Sequence, residues 1–321
     1  MMGWTDRHER YFLRMISRRI LLYTEMLSPE AVLFGRRDLL LAFDPEEHPV
    51  ALQLGGHDPA QMAAAARIAE SWGYDEINMN VGCPSERGQD RRFGACLMAE
   101  PETVAACVRA MQEAVRVPVT VKTRIGIDRD DGYEPLGEFV ARIAAAGCRV
   151  FVVHARKAWL DGLSPRENRA VPPLRYDYVY RLKRDFPQLT IVLNGGIEDW
   201  GAAREPLERL DGIMIGRKAY EDPYWLSTVD SELFQENSPR PGRAELLERY
   251  LPYVERQLAR GEPLLAMARH LMRLYQGVPR ARAWRRHITE ACPRAGAGVE
   301  VLRTALQIAE IGARQELLVA K

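Results

Sequence analysis

A (β/α)8 barrel that lacks or truncates its first strand, followed by an all-helical C-terminal domain, is the fold this sequence predicts. Three observations predict it. Short β-rich runs alternate with longer stretches of helical period, which implies βαβ crossovers and a parallel sheet. Polar residues recur at the C-terminal ends of those runs. Beyond a linker-like segment the strands cease. The 321 residues suit one barrel of roughly 250 residues with a smaller appendage.

The strand candidates, in order, are LLYTEM (from Leu21), PVALQL (from Pro49), EINMNV (from Glu76), VPVTVKT (from Val117), VFVVHA (from Val150), TIVLNGG (from Thr190) and DGIMIGR (from Asp211). Helical patterns such as PAQMAAAARIAESWG and PETVAACVRAMQEAV lie between them, each opening on a proline suited to a first helical turn. A helical pattern, Asp6 to Ser17, precedes the first strand, so the barrel strand without a counterpart is the first. Either the reading frame begins upstream of Met1, or Met1-Met2 is that strand's remnant and the barrel closes imperfectly. An open doubly wound sheet would also accept seven strands. The barrel is preferred because Glu25, Gln53, Asn80, Lys122, His154, Asn194 and Arg217 all fall at strand ends, which in a barrel converge on one face.

The expected boundaries are a barrel over residues 1–234, a linker over 235–243 containing QENSPRPGR, and a helical domain over 244–321. Net charge is +1 overall, so no global field draws the chain to nucleic acid or membrane. From Pro241 onward, however, 14 Lys and Arg face 8 Asp and Glu, a local net of +6. Most of that sits in RHLMRLYQGVPRARAWRR, Arg269 to Arg286, which has six arginines and no acid. Such a run is ordinarily a solvated helix face. Without balancing acids it favours RNA, with Tyr275 and Trp284 expected to offer ring faces to splayed bases.

Five widely spaced cysteines without CxxC or a Cys/His cluster argue for a reducing cytoplasm and against disulfides or structural zinc. No apolar run approaches the ~18 residues of a membrane span, and no signal peptide is read.

The chemistry-bearing residues follow the strands. NGG, Asn194 to Gly196, and Gly216-Arg217 each close a hydrophobic run. In barrels the loops after the last two strands often bind phosphate through backbone N–H groups, with an arginine as a further partner. Glycine alone could simply turn the chain there. Together, on those two strands, phosphate is favoured. No GxGxxG follows a strand, which disfavours a Rossmann dinucleotide site, and a phosphorylated cofactor held by a barrel suggests FMN.

Lys122 at a strand end would be costly to bury without an anion, which a reduced flavin supplies. Gln53 can donate to and accept from a flavin edge. His154 is ordinarily a core histidine, but its strand order, between Lys122 and the phosphate loop, shifts it toward a cofactor contact. Cys96, Cys107 and Cys148 read as small buried hydrophobes. Cys83 differs: Gly82 and Pro84 fix its backbone at the barrel mouth near Asn80, where a protonated thiol can act as general acid.

YTEM, HPVALQLGG, YDEINMNVGCPS, FGACLM, VPVTVKTRIGID, HARKAWLDGLSPRENR, NGGI and DGIMIGRKAY, in this order, closely resemble the tRNA-dihydrouridine synthase family and its DusA-like subfamily. The resemblance covers nearly the whole chain, including WRRHITE near its end. It implies an FMN barrel with a helical tRNA-binding domain. NADPH reduces the flavin, hydride goes to uracil C6, and Cys83 protonates C5. Flavin contacts are implied at Gln53, Lys122, His154, Asn194, Gly195, Gly196, Gly216 and Arg217. Asn80 would face the target uridine, expected at D-loop positions 20 and 20a. Ser164 and Glu167 would lie near tRNA, and Arg282 and Arg285 are first choices for phosphate contact. The partner is tRNA; no membrane, metal or obligate protein partner is implied.

Two departures stand out. The family has a strand ending in Pro-Met before WTDRH whose backbone touches the flavin, where this chain has Met1 to Gly3. The loop after Cys83 carries Asp90-Arg91-Arg92 where relatives often have glycine. Two other functions stay open on residues alone: a flavin barrel acting on a free pyrimidine or small enone, and a non-catalytic RNA-binding module.

Overall fold

The computed structural model describes residues 1–85, 88, 92–130, 132–236 and 239–319, with side chains to residue 310; Asp90 and Arg91 of the loop after Cys83 lie outside the described residues. The chain forms two compact units. One comprises Met1, Tyr23–Phe43 and His48–Gly216; the other Met2–Leu22, Asp44–Glu47 and Arg217–Lys321.

The first unit is built on one seven-stranded sheet whose strands lie in chain order. They are β1 (Leu22–Leu27), β2 (Val50–Leu54), β3 (Glu76–Val81), β4 (Val119–Arg124), β5 (Val150–His154), β6 (Thr190–Asn194) and β7 (Gly212–Met214). The strands are parallel, with registers such as Gln53↔Asn78, Asn80↔Lys122 and His154↔Asn194. β7 holds only three residues of the longer run its sequence suggests, because pairing with β6 stops at Asn194↔Met214. Helices cross between strands. Pro59–Ser71, for example, starts where the Asp58 carboxylate accepts the Gln61 N–H at 2.9 Å, and it buries Met62, Ala65, Ala66 and Ala69.

The sheet curls. Lys122 Nζ on β4 donates to Asn194 Oδ1 on β6 at 3.1 Å, across the intervening β5. Strands two apart in a flat sheet are separated by ~9.5 Å, a span that curvature toward this face shortens for the two side chains. This is an incomplete (β/α)8 barrel, as the sequence predicts, with seven strands among the described residues.

The second unit is helical: Arg7–Ile16, Arg217–Glu221, Val229–Phe234, Arg243–Ala259, Leu264–Leu271, Ala281–Ala291 and Val299–Val319. Its core is aromatic. Tyr11 stacks on Tyr253 with centroids 3.9 Å apart, Phe12 meets Tyr250 edge-on, and Trp284 is fully buried beside Tyr275. Among the described residues no helix is long and apolar enough to cross a membrane.

Candidate active site

The concave face of the first unit is polar where barrel interiors are usually filled by branched apolar residues. Asn80 organises its rim. Its Oδ1 accepts the backbone N–H groups of Gly82 (3.0 Å) and Cys83 (2.9 Å), while its Nδ2 donates to Gln53 Oε1 at 2.8 Å. One side chain thus fixes the turn bearing the cysteine and joins it to β2. Below, Gln53 Nε2 donates to Asn78 Oδ1 at 2.9 Å, and Asn78 is completely buried.

The Cys83 turn is held from the other side as well. Its carbonyl accepts the Ala95 N–H at 2.8 Å. Gly94 has φ +82°, and a Cβ there would lie 2.3 Å from that carbonyl oxygen. Ala95, Ile127 and Ala158, from the segments after β3, β4 and β5, form a small apolar cluster with Met98 and Leu160 packed against it. The buried Arg124 guanidinium donates to the carbonyls of Gly82 (2.9 Å), Lys157 (3.0 Å) and Asn168 (2.9 Å), pinning the cysteine turn to the segment after β5. Asn168, fully buried, fastens that segment internally through Trp159 and Leu163. Hydrogen bonds thus hold the cysteine turn from both sides, as positioning chemistry requires.

All five cysteines are free. Burial pushes the thiols of Cys107 and Cys148 up to about 12, making them inert, and it raises Cys96 too. Cys83 is the half-buried thiol on the rim, 3.5 Å from Ser85 Oγ.

Lys122 and the NGG segment are brought together by the Lys122–Asn194 bond, and Asn194 Nδ2 donates to the Met214 carbonyl at 2.8 Å. Burial pulls the Lys122 ammonium down to about 8; Arg124 adds to the effect and Cys83 opposes it. Among the described residues no carboxylate pairs with this lysine. Gly195 lies so close to the buried His154 that a Cβ would sit 2.6 Å from the ring, and Tyr176 donates to the Gly195 carbonyl at 2.7 Å. At Gly216 the nearest atom to an added Cβ is Met1 Sδ at 3.7 Å, so packing there does not demand glycine.

Other predicted residues have local partners. Ser164 and Glu167 form a reciprocal cap on an exposed turn: the Glu167 carboxylate accepts from Ser164 N (2.8 Å) and Oγ (2.6 Å), which holds its pKa down. Arg217 is exposed and opens the helix Arg217–Glu221 of the second unit.

In that unit the helix Ala281–Ala291 buries Trp284, Ile288 and Ala291, so Arg282 and Arg286 project from its opposite face, Arg282 exposed and Arg285 half-buried within 3.5 Å of Gln276. Trp284 and Tyr275 correct the sequence reading. Trp284 Nε1 donates to the Leu271 carbonyl at 3.1 Å and Tyr275 to Glu310 at 3.0 Å, so both rings serve the helical core and offer no face to a base. Residues the sequence did not single out are Asn78, Arg124, Asn168 and Arg286. Arg286 was legible from its i, i+4 spacing to Arg282.

A curled parallel sheet with amides, a lysine and a fixed thiol at its C-terminal rim defines a barrel enzyme. The whole chain bears this out in comparison. The family model for dihydrouridine synthase (Dus) matches residues 1–310, and the chain belongs to that family. It is 57% identical over 307 residues to the tRNA-dihydrouridine(20/20a) synthase of Synechocystis sp., spanning 96% of this chain and 92% of that one. To the proteins of the same name from Vibrio vulnificus and Salmonella typhi it is 55% and 52% identical; the matches span 95% and 96% of this chain, 94% and 93% of theirs. Among solved structures, a 2-naphthoyl-CoA reductase complex is similar in fold, with TM-score 0.53 at 11% identity over 71% of this chain and 47% of that one.

Proposed function

We propose that the chain reduces uridine to dihydrouridine in the D-loop of tRNA, at positions 20 and 20a, in the cytoplasm, with FMN as cofactor and NADPH as reductant. One observation carries the reading: Asn80 ties the Cys83 turn to Gln53 on a rim already fixed by Arg124. The residues fit a flavin. Lys122 is a half-buried cation whose hydrogen-bond partner among the described residues is a neutral oxygen, suited to an anionic ring edge, and Gly216 leaves space that packing does not require. Gln53, Lys122 and His154 would hold the ring; Asn194, Gly195, Gly196 and Gly216 its phosphate, with Arg217, next in the chain, as charge partner.

When bound, the flavin supplies the hydride for uracil C6. The protein's own part is to admit a base extruded from folded RNA, orient it through Asn80, and deliver a proton from Cys83 to C5. The rim's preset hydrogen bonds keep that thiol in place without reorganisation. Ser164, Glu167, Arg282 and Arg285 would contact the RNA outside the reacting base.

The test is Cys83→Ala. It should bind FMN and tRNA as the parent does while dihydrouridine formation falls by ~10²-fold or more, the usual range for removing a general acid. Full activity in that variant would refute the assignment.

A further inference from the structure

The hydrogen bonds of the barrel interior continue below Gln53 and end on a carboxylate. Asn78 Nδ2 donates to Thr120 Oγ1 at 2.8 Å, and Thr120 Oγ1 donates to Glu76 Oε1 at 2.6 Å. Tyr23 donates to the same oxygen at 2.7 Å. Taken with the bonds above, every donor points the same way: the N–H groups of Gly82 and Cys83 to Asn80, Asn80 to Gln53, Gln53 to Asn78, Asn78 to Thr120, and Thr120 to Glu76.

The direction is locked at both ends. Backbone N–H groups can only donate, and at the far end Glu76 Oε1 accepts from both Thr120 and Tyr23. An amide reversed anywhere between them would set N–H against N–H at one junction and oxygen against oxygen at the other. Burial leaves the Glu76 carboxyl raised above its usual range although the two hydroxyl bonds lower it, while Tyr23 is pushed far above the usual phenol range and stays a donor. Glu76, Asn78 and Thr120 are all buried, the last two completely. A fold needing only stability would fill this layer with branched apolar side chains, because buried polar groups gain little even when satisfied. Here the string leaves Gln53 and Asn80 each with an N–H not engaged by any described protein group, suited to the carbonyl oxygens of a pyrimidine or isoalloxazine ring.

We propose that Glu76 is a positioning residue for the reduction, acting through Thr120 and Asn78 to set the orientation of the Gln53 and Asn80 amides and the turn that carries Cys83. The proposal rests on the assignment of Asn80 and Cys83 given above.

The experiment uses flavin-loaded protein, reduced beforehand and mixed with tRNA in a single turnover, with tRNA affinity measured separately. Thr120→Val keeps the shape and severs the string. It should slow dihydrouridine formation per flavin-loaded molecule about tenfold, with tRNA affinity unchanged, as a small misplacement of reacting groups does. Thr120→Ser, which restores the hydroxyl, should recover the rate to within about threefold. Tyr23→Phe loosens only the carboxylate and should slow the step about threefold; it decides the matter if Thr120→Val does not fold. A parent-like rate in the variants, or a slow Thr120→Val that Thr120→Ser does not rescue, overturns the proposal. An inactive parent protein defeats the underlying function; an active parent with equally active variants defeats only the string.

Discussion

Replacing Gly94 by alanine tests how closely the Cys83 turn must be held. Gly94 sits at φ +82°, where a side chain costs about 1–2 kcal/mol. The added Cβ would lie 2.3 Å from the Cys83 carbonyl oxygen, and contacts below 3.0 Å do not persist, so something must move by about 0.7 Å. The atom it meets is backbone, and the same oxygen accepts the Ala95 N–H, so the turn itself has to yield. A displacement near 1 Å in a reacting group costs ~10²-fold in rate, about 2.7 kcal/mol of barrier. Gly94→Ala should therefore lower Tm by roughly 5 °C and slow dihydrouridine formation per folded, flavin-loaded molecule by ~30- to 100-fold. Thermal unfolding and single-turnover measurement on tRNA separate the two effects. A loss of Tm with an unchanged rate per folded molecule would refute the claim that the turn's position governs proton delivery.

Other outcomes follow from the same structure. Lys122 is held down to about 8 when folded, against ~10.4 in an unfolded chain, so between those values the unfolded state binds more protons and stability rises with pH. The stabilisation from Lys122→Met in flavin-free protein should be full below pH 8 and shrink as pH rises toward 10.4; a gain independent of pH would contradict it. Arg282→Ala and Arg286→Ala should leave Tm nearly unchanged and each lower the slope of log affinity for tRNA against log salt by about 1. Trp284→Ala should instead cost ~3–5 kcal/mol of stability; normal stability with weakened RNA binding would return that ring to the surface role the sequence suggested.

The strand runs were legible because each is a short apolar stretch bounded by turn residues, and six of the seven form close to where their sequences place them. Cys83, set between Gly82 and Pro84, and the residues at strand ends were legible for the same reason: a strand's end is a local property. The string from Asn80 to Glu76 was not. Glu76, Asn78 and Asn80 alternate with apolar residues and so share one face, but β3 is buried along its whole length and the pattern does not say which polar partners that face meets. That choice depends on the register Asn78↔Thr120, set by a strand some forty residues away. Trp284 shows the same limit on a helix. Arginines and an aromatic in one run say nothing about which of them turns inward until a neighbouring helix supplies the packing surface. Arg124 and Asn168 serve loops whose paths no local pattern encodes.

The first helix, Arg7–Ile16, finds its aromatic partners, Tyr250 and Tyr253, some 240 residues later in the chain. The sheet poses no such difficulty, since every strand pairs with the one synthesised just before it. On a ribosome the curled sheet can grow strand by strand while Tyr11 and Phe12 wait without a home. The helical unit closes last, and only when both its early and its late segments are present, so a nascent chain stalled before Tyr250 would carry an assembled sheet and an amphipathic helix whose apolar face is exposed to chaperones.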